Sequence, residues 1–369
     1  MPRPPTMEDV ARTAGVSRST VSRVFQNGGE RVSPDAMIQV HEAARRLGYV
    51  HNLVASGLAM RHGRQLGLLI RDATNPAYGH LHAEMNRAVE AVGRTLISVT
   101  AFRHDYGTAE VEGLNRLIGQ RVAGVFVGTG VTAAEDLVET VTATPMMILG
   151  RPNTHPQINS VSYDEEAHGR LMAEQIAAQG HRRIAVLTAP LLYSRVFDLR
   201  MRSLVQRCEE LGIINVPVEL LPVEQGVGRA LDAAREEALS CIVCPVDYVA
   251  LELLRAAAAR GVRIPEEIST VGFDGLGDGL DLLGLATVRL PVEELARQAV
   301  ALMEELLVRA QDDAEGPPPA PHGAGDRDAA GEGEGEQLLL TRHSPRHAVV
   351  AGSFVPGRTL SAAPGHLRG

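Results

Sequence analysis

The chain contains no lysine: all 36 of its basic residues are arginine. It has no tryptophan, and only six Tyr and six Phe. With abundant alanine and 37 glycines, this reads as the imprint of GC-rich coding. The missing lysine is therefore no sign of phosphate recognition. The shortage of aromatics does limit stacking on the face of a sugar. Three cysteines, Cys208, Cys241 and Cys244, exclude a disulfide-stapled scaffold and suit a reducing compartment. No apolar run reaches the roughly 18 residues that a membrane span needs. The opening MPRPPTMEDVART lacks the apolar core of a secretory signal, so a cytoplasmic protein is expected.

What is present is unevenly distributed. The formal net charge is −9, yet residues 1–64 hold nine arginines against five acidic residues, a net of +4. An acidic body with a basic end points to a nucleic-acid-binding head. Residues 311–336, QDDAEGPPPAPHGAGDRDAAGEGEGE, carry eight acidic residues against one arginine and almost no apolar side chain. Such a segment cannot bury enough surface to fold, and is expected to be a disordered acidic Gly/Pro-rich insertion. Apolar patterning resumes at 337–340 and 348–350. Much of the acidity therefore belongs to the insertion.

With 369 residues there is room for two or three domains. Residues 1–50 predict three short helices, over 7–13, 17–25 and 34–47. Residues 51–64 form a connector. From Leu66 onward, apolar runs (66–70, 96–99, 122–127, 146–149, 184–187, 241–244, 269–272) alternate with helical patterns (81–92, 109–117, 168–178, 199–211, 249–259, 292–308). That alternation means parallel sheets covered by helices on both faces. The length of this region predicts two doubly wound subdomains. The last stretch has no heptads and so predicts no added coiled coil.

The segment TMEDVARTAGVSRSTVSRV, residues 6–24, carries the most specific signal. Val10 and Ala11 supply the inner face of a first helix. Gly15 falls where a tight interhelical turn needs a positive φ or a close backbone approach. Ser17 is a good N-cap for a second helix, whose Val21 and Val24 face inward. Arg18, Ser19, Ser22 and Arg23 are left facing outward, where a reading helix meets bases and phosphates. Arginine pairs bidentately with guanine O6 and N7. The plain alternative is a small helical bundle with a solvated polar face.

Here the sequence resembles the lactose-repressor/galactose-repressor family of bacterial transcription regulators. TMEDVARTAGVSRSTVSRVFQN matches the family's opening and ERVSPDAMIQVHEAARRLGY its third helix. LGLLIRDATNP, GHRRIAVL, Arg200, RGVRIPEEISTVGFD and ATVRLPVEELARQAVALMEELL match down the body. The resemblance implies an α helix-turn-helix DNA-binding head at 1–50, a hinge helix and linker at 51–64, and an α/β body at 65–369. That body would be of the periplasmic-binding-protein-like type, with one subdomain at about 65–162 plus 289–310 and a second at about 163–288 plus 337–360. It further implies that Thr6, Ser17 and Asn27 are phosphate or positioning contacts. Arg18 and Ser19 would choose bases, beside Ser22 and Arg23. Asn52, Ala55 and Leu58 would form the hinge helix, with Leu58 wedged into the minor groove. The chain departs from the pattern at His51, where the family has Pro, and at Gly57, inside the hinge helix. Glycine weakens so short a helix, which is expected to fold only on DNA.

No catalytic constellation is visible. Cys241 and Cys244 have redox spacing but lie in an apolar run, as core thiols do. His80 and His82 lack a third ligand. Gly226 and Gly228 are a lone pair, too weak for a phosphate loop. Glu209-Glu210 and Glu304-Glu305 read as solvated helix faces. No metal and no cofactor are expected. The resemblance implies instead a small-molecule effector bound beyond the strand C-termini, at positions Asn75, Tyr78, Asp164, Arg200, Asp247 and Asp274. For Asp164 and Asp247, each before a helix, N-capping is an equal alternative. Gly150 and Val246 replace residues often Asp and Asn in the family. A sugar is favoured as effector, with a purine or other metabolite as alternatives. The expected partners are double-stranded operator DNA, the effector and a second copy in a homodimer. The rival reading, a solute-binding protein of a transport system, has a helix-turn-helix where a signal peptide should be.

Overall fold

In the computed structural model, the described residues are 3, 5–26, 32–49, 64–73, 75–101, 106–128, 133–134, 136–137, 144–153, 155–156, 158–189, 195–314 and 346–365. The chain divides into two units, Met1–Gly63 and Arg64–Gly369. The first holds helices α1 (Met7–Ala14), α2 (Arg18–Gln26) and α3 (Pro34–Leu47). Its small core is Val10, Ala11, Val21, Val24, Val40, Ala43 and Ala44. Phe25 closes one side, with its ring 5.7 Å from His41 and 5.8 Å from Tyr49.

The second unit contains two six-stranded sheets. The first comprises β1 (Gln65–Ile70), β2 (Thr95–Thr100), β3 (Gly124–Gly128), β4 (Met146–Leu149), β5 (Asn159–Tyr163) and β11 (His347–Val350). Its order is β11-β5-β4-β3-β1-β2, parallel throughout. The second comprises β6 (Arg183–Thr188), β7 (Ile214–Glu219), β8 (Cys241–Val243), β9 (Ser269–Asp274), β10 (Ala286–Arg289) and β12 (Ser353–Val355). Its order is β12-β10-β9-β8-β6-β7, with only β12 antiparallel to its neighbour. The central strands are near-continuous apolar runs because both faces are covered.

The covering helices are α4 (Pro76–Ala91), α5 (Tyr106–Gly119), α6 (Glu165–Ala178), α7 (Arg195–Glu210), α8 (Val223–Glu236), α9 (Asp247–Ala259), α10 (Leu280–Leu283) and α11 (Val292–Ala314). None of the described helices is long and apolar enough to cross a membrane.

The chain passes between the sheets three times: from β5 into α6, from β10 into α11, and from β11 to β12. Two of these passages are bonded together, the Asp164 N–H donating to the Val350 carbonyl at 2.9 Å. A Cβ on Gly352 would lie 2.3 Å from the Arg289 carbonyl oxygen. That distance leaves room only for glycine where the second and third passages meet.

Two expectations need correction here, and a third reading gains its reason. Residues 347–350, placed with the second subdomain, form β11 and extend the first sheet, because the third passage follows that strand. Residues 311–314, placed in the disordered insertion, continue α11. Gly226 and Gly228 lie within α8, where a Cβ on Gly226 would sit 1.9 Å from the Leu220 carbonyl oxygen, so that glycine serves helix packing. Residues 315–336, and the apolar patch at 337–340, lie outside the described residues.

Candidate functional site

In the head, α1 is closed by a capping box. The Asp9 N–H donates to Thr6 Oγ1 at 3.3 Å, and the Thr6 N–H returns the bond to Asp9 Oδ2 at 2.9 Å. These bonds from Thr6, with help from nearby Arg3 and Arg12, hold the Asp9 carboxyl below its usual range. Gly15 ends the helix at φ +67°, a left-handed conformation that glycine adopts without strain. Ser17 then caps α2, its Oγ accepting from the Thr20 N–H at 3.1 Å and lying 2.7 Å from Ser19 Oγ.

With Val21 and Val24 buried, α2 presents Arg18, Ser19 and Arg23 to solvent, and Ser22 is half-buried. Arg18 and Arg23 have no ion pair with a described residue. Arg3 and Arg12, by contrast, both pair with Asp9. Two free guanidinium groups on the exposed face of a capped helix are suited to bases and phosphates. Of the remaining nominated residues, Asn27, Asn52, Ala55 and Leu58 lie outside the described residues, as do residues 51–63 of the hinge and linker.

In the body, the nominated residues do not gather into one ligand shell. Asn75 caps α4, accepting from the Ala77 N–H at 2.9 Å, and also lines a cavity of about 30 Å³ beyond the strand ends. Pro76, Asp247, Tyr248, Asp274 and Leu276 share that lining. Tyr78 packs against the first core instead, and burial pushes its phenol up to about 12. Asp164 caps α6 through the Ala167 N–H at 2.9 Å, so the capping alternative holds for it. For Asp247 it fails. This residue is the first of α9, and its carboxylate accepts from the Gly275 N–H at 2.6 Å and the Thr287 hydroxyl at 2.8 Å. The strand beneath makes space for it, since a Cβ on Gly272 would lie 2.3 Å from Asp247 Oδ1.

Arg200, on α7, is only 1% exposed. Its Nε and Nη2 donate to the two oxygens of Glu165 at 2.6 and 3.0 Å, and Nη1 donates to the Pro245 carbonyl at 2.9 Å. Asp274 Oδ1 stands 3.5 Å from Nη1. The guanidinium lies over the Phe273 ring at 4.9 Å.

Sequence reasoning passed over Glu165. It is 1% exposed, with the equally buried His168 one turn on along the same helix. The His168 Nε2 accepts from the Gly352 N–H at 2.7 Å, which leaves the ring proton on Nδ1, 3.4 Å from Glu165 Oε2. The close approach of α6 and α7 depends on Gly169, where a Cβ would sit 2.4 Å from the Arg200 carbonyl oxygen. The available signals were the Glu after the expected cap and the small residue four positions on.

The electrostatics follow from this geometry. Burial works to raise Glu165, but Arg200 and His168 overrule it and hold the carboxyl below its usual range. Burial also opposes the charge on Arg200, yet Glu165 and Asp274 keep it firmly protonated. Burial raises Asp274 against the pull of Arg200, with Asp247 and Glu165 adding repulsion. Burial likewise lifts Asp247 to about 7, despite its bonds from Thr287 and Gly275.

A larger groove of about 170 Å³ runs along α6 and α7. Solvated helix-face charges such as Arg170–Glu166 and Arg207–Glu210 line it, away from the strand ends. The smaller cavity, with buried carboxylates, lies at the sheet termini, where doubly wound sheets hold ligands. Cys241 and Cys244 are buried in and beside β8, and burial pushes the Cys244 thiol up to about 12. His80 and His82 are exposed on α4.

Comparison with known proteins agrees with both halves of this geometry. Residues 6–52 match the model of bacterial regulatory proteins, lacI family, and residues 173–323 a periplasmic binding protein-like domain. The ribose operon repressor of Halalkalibacterium halodurans is 31% identical over 304 residues, covering 81% of this chain and 89% of that protein. The transcriptional regulator GalR of Escherichia coli is 27% identical, over 80% and 88% of the respective chains. Among solved structures, the lac repressor dimer bound to operator and the anti-inducer ONPF superposes with a TM-score of 0.74. It covers 98% of this chain and 100% of its own at 23% identity, a likeness of fold.

Proposed function

This chain belongs to the lacI family of bacterial regulatory proteins, and from that premise we propose that it represses transcription as a dimer released or recruited by a small metabolite. It is a DNA-binding transcription regulator with operator DNA and a small-molecule effector as partners. In this reading it works in the cytoplasm and catalyses no reaction. Two heads read the halves of a pseudo-palindromic operator, since two-fold protein symmetry matches two-fold site symmetry. Arg18 and Ser19 choose bases, with Ser22 and Arg23 beside them. Thr6, Ser17 and Asn27 set the register on phosphates. The hinge at 51–64, through Asn52, Ala55 and Leu58, opens the minor groove between the half-sites.

The effector occupies the cavity at Asn75, Asp247 and Asp274, and a sugar is favoured. It controls DNA binding only by preferring one arrangement of the two sheets over another. The polypeptide passages joined at Asp164, Arg289 and Gly352 are where such a change would be absorbed.

The observation that carries this reading is the capped α2 with its unpaired Arg18 and Arg23, inside the matched 6–52 segment. Selection of bound duplexes from a random pool tests it. The full chain should enrich an inverted repeat, and a variant lacking residues 1–62 should retain no duplex. Equal retention by that truncation would overturn it.

A further inference from the structure

The arginine that family resemblance nominates for ligand contact is already taken. Glu165 occupies the two-pronged edge of Arg200, the Pro245 carbonyl takes Nη1, and Phe273 covers one face. That edge is what makes arginine a receptor for carboxylates and phosphates. Glu165 is only 1% exposed, and both of its oxygens are held by Arg200. Asp274 is placed differently. It lines the cavity, and the one described polar contact of its carboxylate is Arg200 at 3.5 Å. Asp247, beside it on the same wall, has its oxygens bonded to Gly275 and Thr287. Through Asp274 the cavity therefore meets a ligand with acceptor oxygens.

We propose that Glu165 is a specificity-determining residue: by occupying the two-pronged edge of Arg200 it makes the cavity refuse carboxylates and phosphates and accept ligands that offer hydroxyl or ammonium donors to Asp274. This rests on the reading of the cavity as the effector site. An anionic ligand would have to displace Glu165 from a buried pair, or stand against Asp274 with no free cation among the described lining residues, and each is costly. A polyol or an amino sugar meets neither obstacle.

The experiment uses the full-length protein and matched probes: neutral sugars and polyols, their amino counterparts, and their carboxylate and phosphate counterparts, ribose with ribose 5-phosphate among them. Binding is read by thermal unfolding and titration calorimetry. The expected result is that at least one neutral or amino compound binds, and its anionic counterpart binds at least tenfold more weakly. The neutral-versus-amino comparison identifies which donor Asp274 takes. In Glu165→Gln, the preference against the anion should shrink tenfold or more, and Asp274→Asn should lose the neutral or amino compound.

An anionic probe that binds the unaltered protein as tightly as its counterpart overturns the proposal, and so does an unchanged preference in Glu165→Gln. If that variant does not fold, the ranking by the unaltered protein alone decides. Binding that survives Asp274→Asn, or no binding by any probe, overturns the effector-site reading and the proposal with it. Anion preference combined with loss in Asp274→Asn overturns the proposal alone.

Discussion

Glu165 follows the acid that the sequence nominates, and the offset of one position separates two fates. Asp164 ends the passage from β5 and spends its carboxylate on the Ala167 N–H. Glu165, one residue into the helix, turns beneath α6 and meets Arg200 in a dry interior. Removing one member of such a pair strands a buried charge, a loss of about 3–5 kcal/mol. Arg200→Leu should therefore destabilise the body by that order in urea unfolding. The double variant Glu165→Leu with Arg200→Leu should recover a large part of the loss. Asp247 gives a second test at this scale. Burial lifts it to about 7 from the usual 3.8 of an exposed aspartate. Between those values the folded chain keeps a proton that the unfolded chain releases, so this group's contribution to stability falls as pH rises and levels off above about 7. Urea unfolding at pH 5 and pH 8 should show Asp247→Asn gaining on the unaltered protein at the higher pH.

At the scale of elements, local chemistry made the head legible. The Thr6 cap, the left-handed Gly15, the Ser17 cap and the Pro34 start of α3 punctuate it so closely that three predicted helices fall within a residue or so of the observed ones. Thr6→Ala should cost about 1 kcal/mol of head stability, read by thermal melting, since it removes one side of the capping box. The body's central strands were legible as apolar runs, but β5, β7 and α8 were not. β5 reads NSVSY, with serines facing inward, and its Ser160 finds a partner in His347 at 2.9 Å only once β11 is beside it. β7 reads INVPVE, an edge strand with a proline and an exposed Ile214. Periodicity has little to detect where one strand is polar inside and another half-exposed. Gly169 belongs to this scale too. Gly169→Ala should force α6 and α7 apart, at about 1–3 kcal/mol in urea unfolding, and disturb the Arg200–Glu165 pair with them.

For the whole molecule, charge is divided by task. Residues 1–64 are basic while the full chain is acidic. Arg18→Ala should change which duplex sequence is enriched, whereas loss of a phosphate contact would weaken all sequences and flatten the salt dependence. Acidic segments repel DNA wherever they stand within a Debye length of it. Replacing the six acidic residues of 315–336 with Asn and Gln should strengthen low-salt retention of non-operator duplex, as a mobility-shift titration would show.

By itself, the sequence determined the head, the alternation of strand and helix, and the family, because these rest on contacts between residues close along the chain and on the order of segments. Tertiary structure decided the rest. It sent β11 to the first sheet, since nothing local says which edge a strand will join. It gave Arg200 to Glu165, because a guanidinium buried between two helices takes the nearest fixed carboxylate, and Gly169 sets that proximity. It also left Asp274 facing the cavity. A side chain's type states what it can bond, and only its surroundings in three dimensions state which bonds are still open.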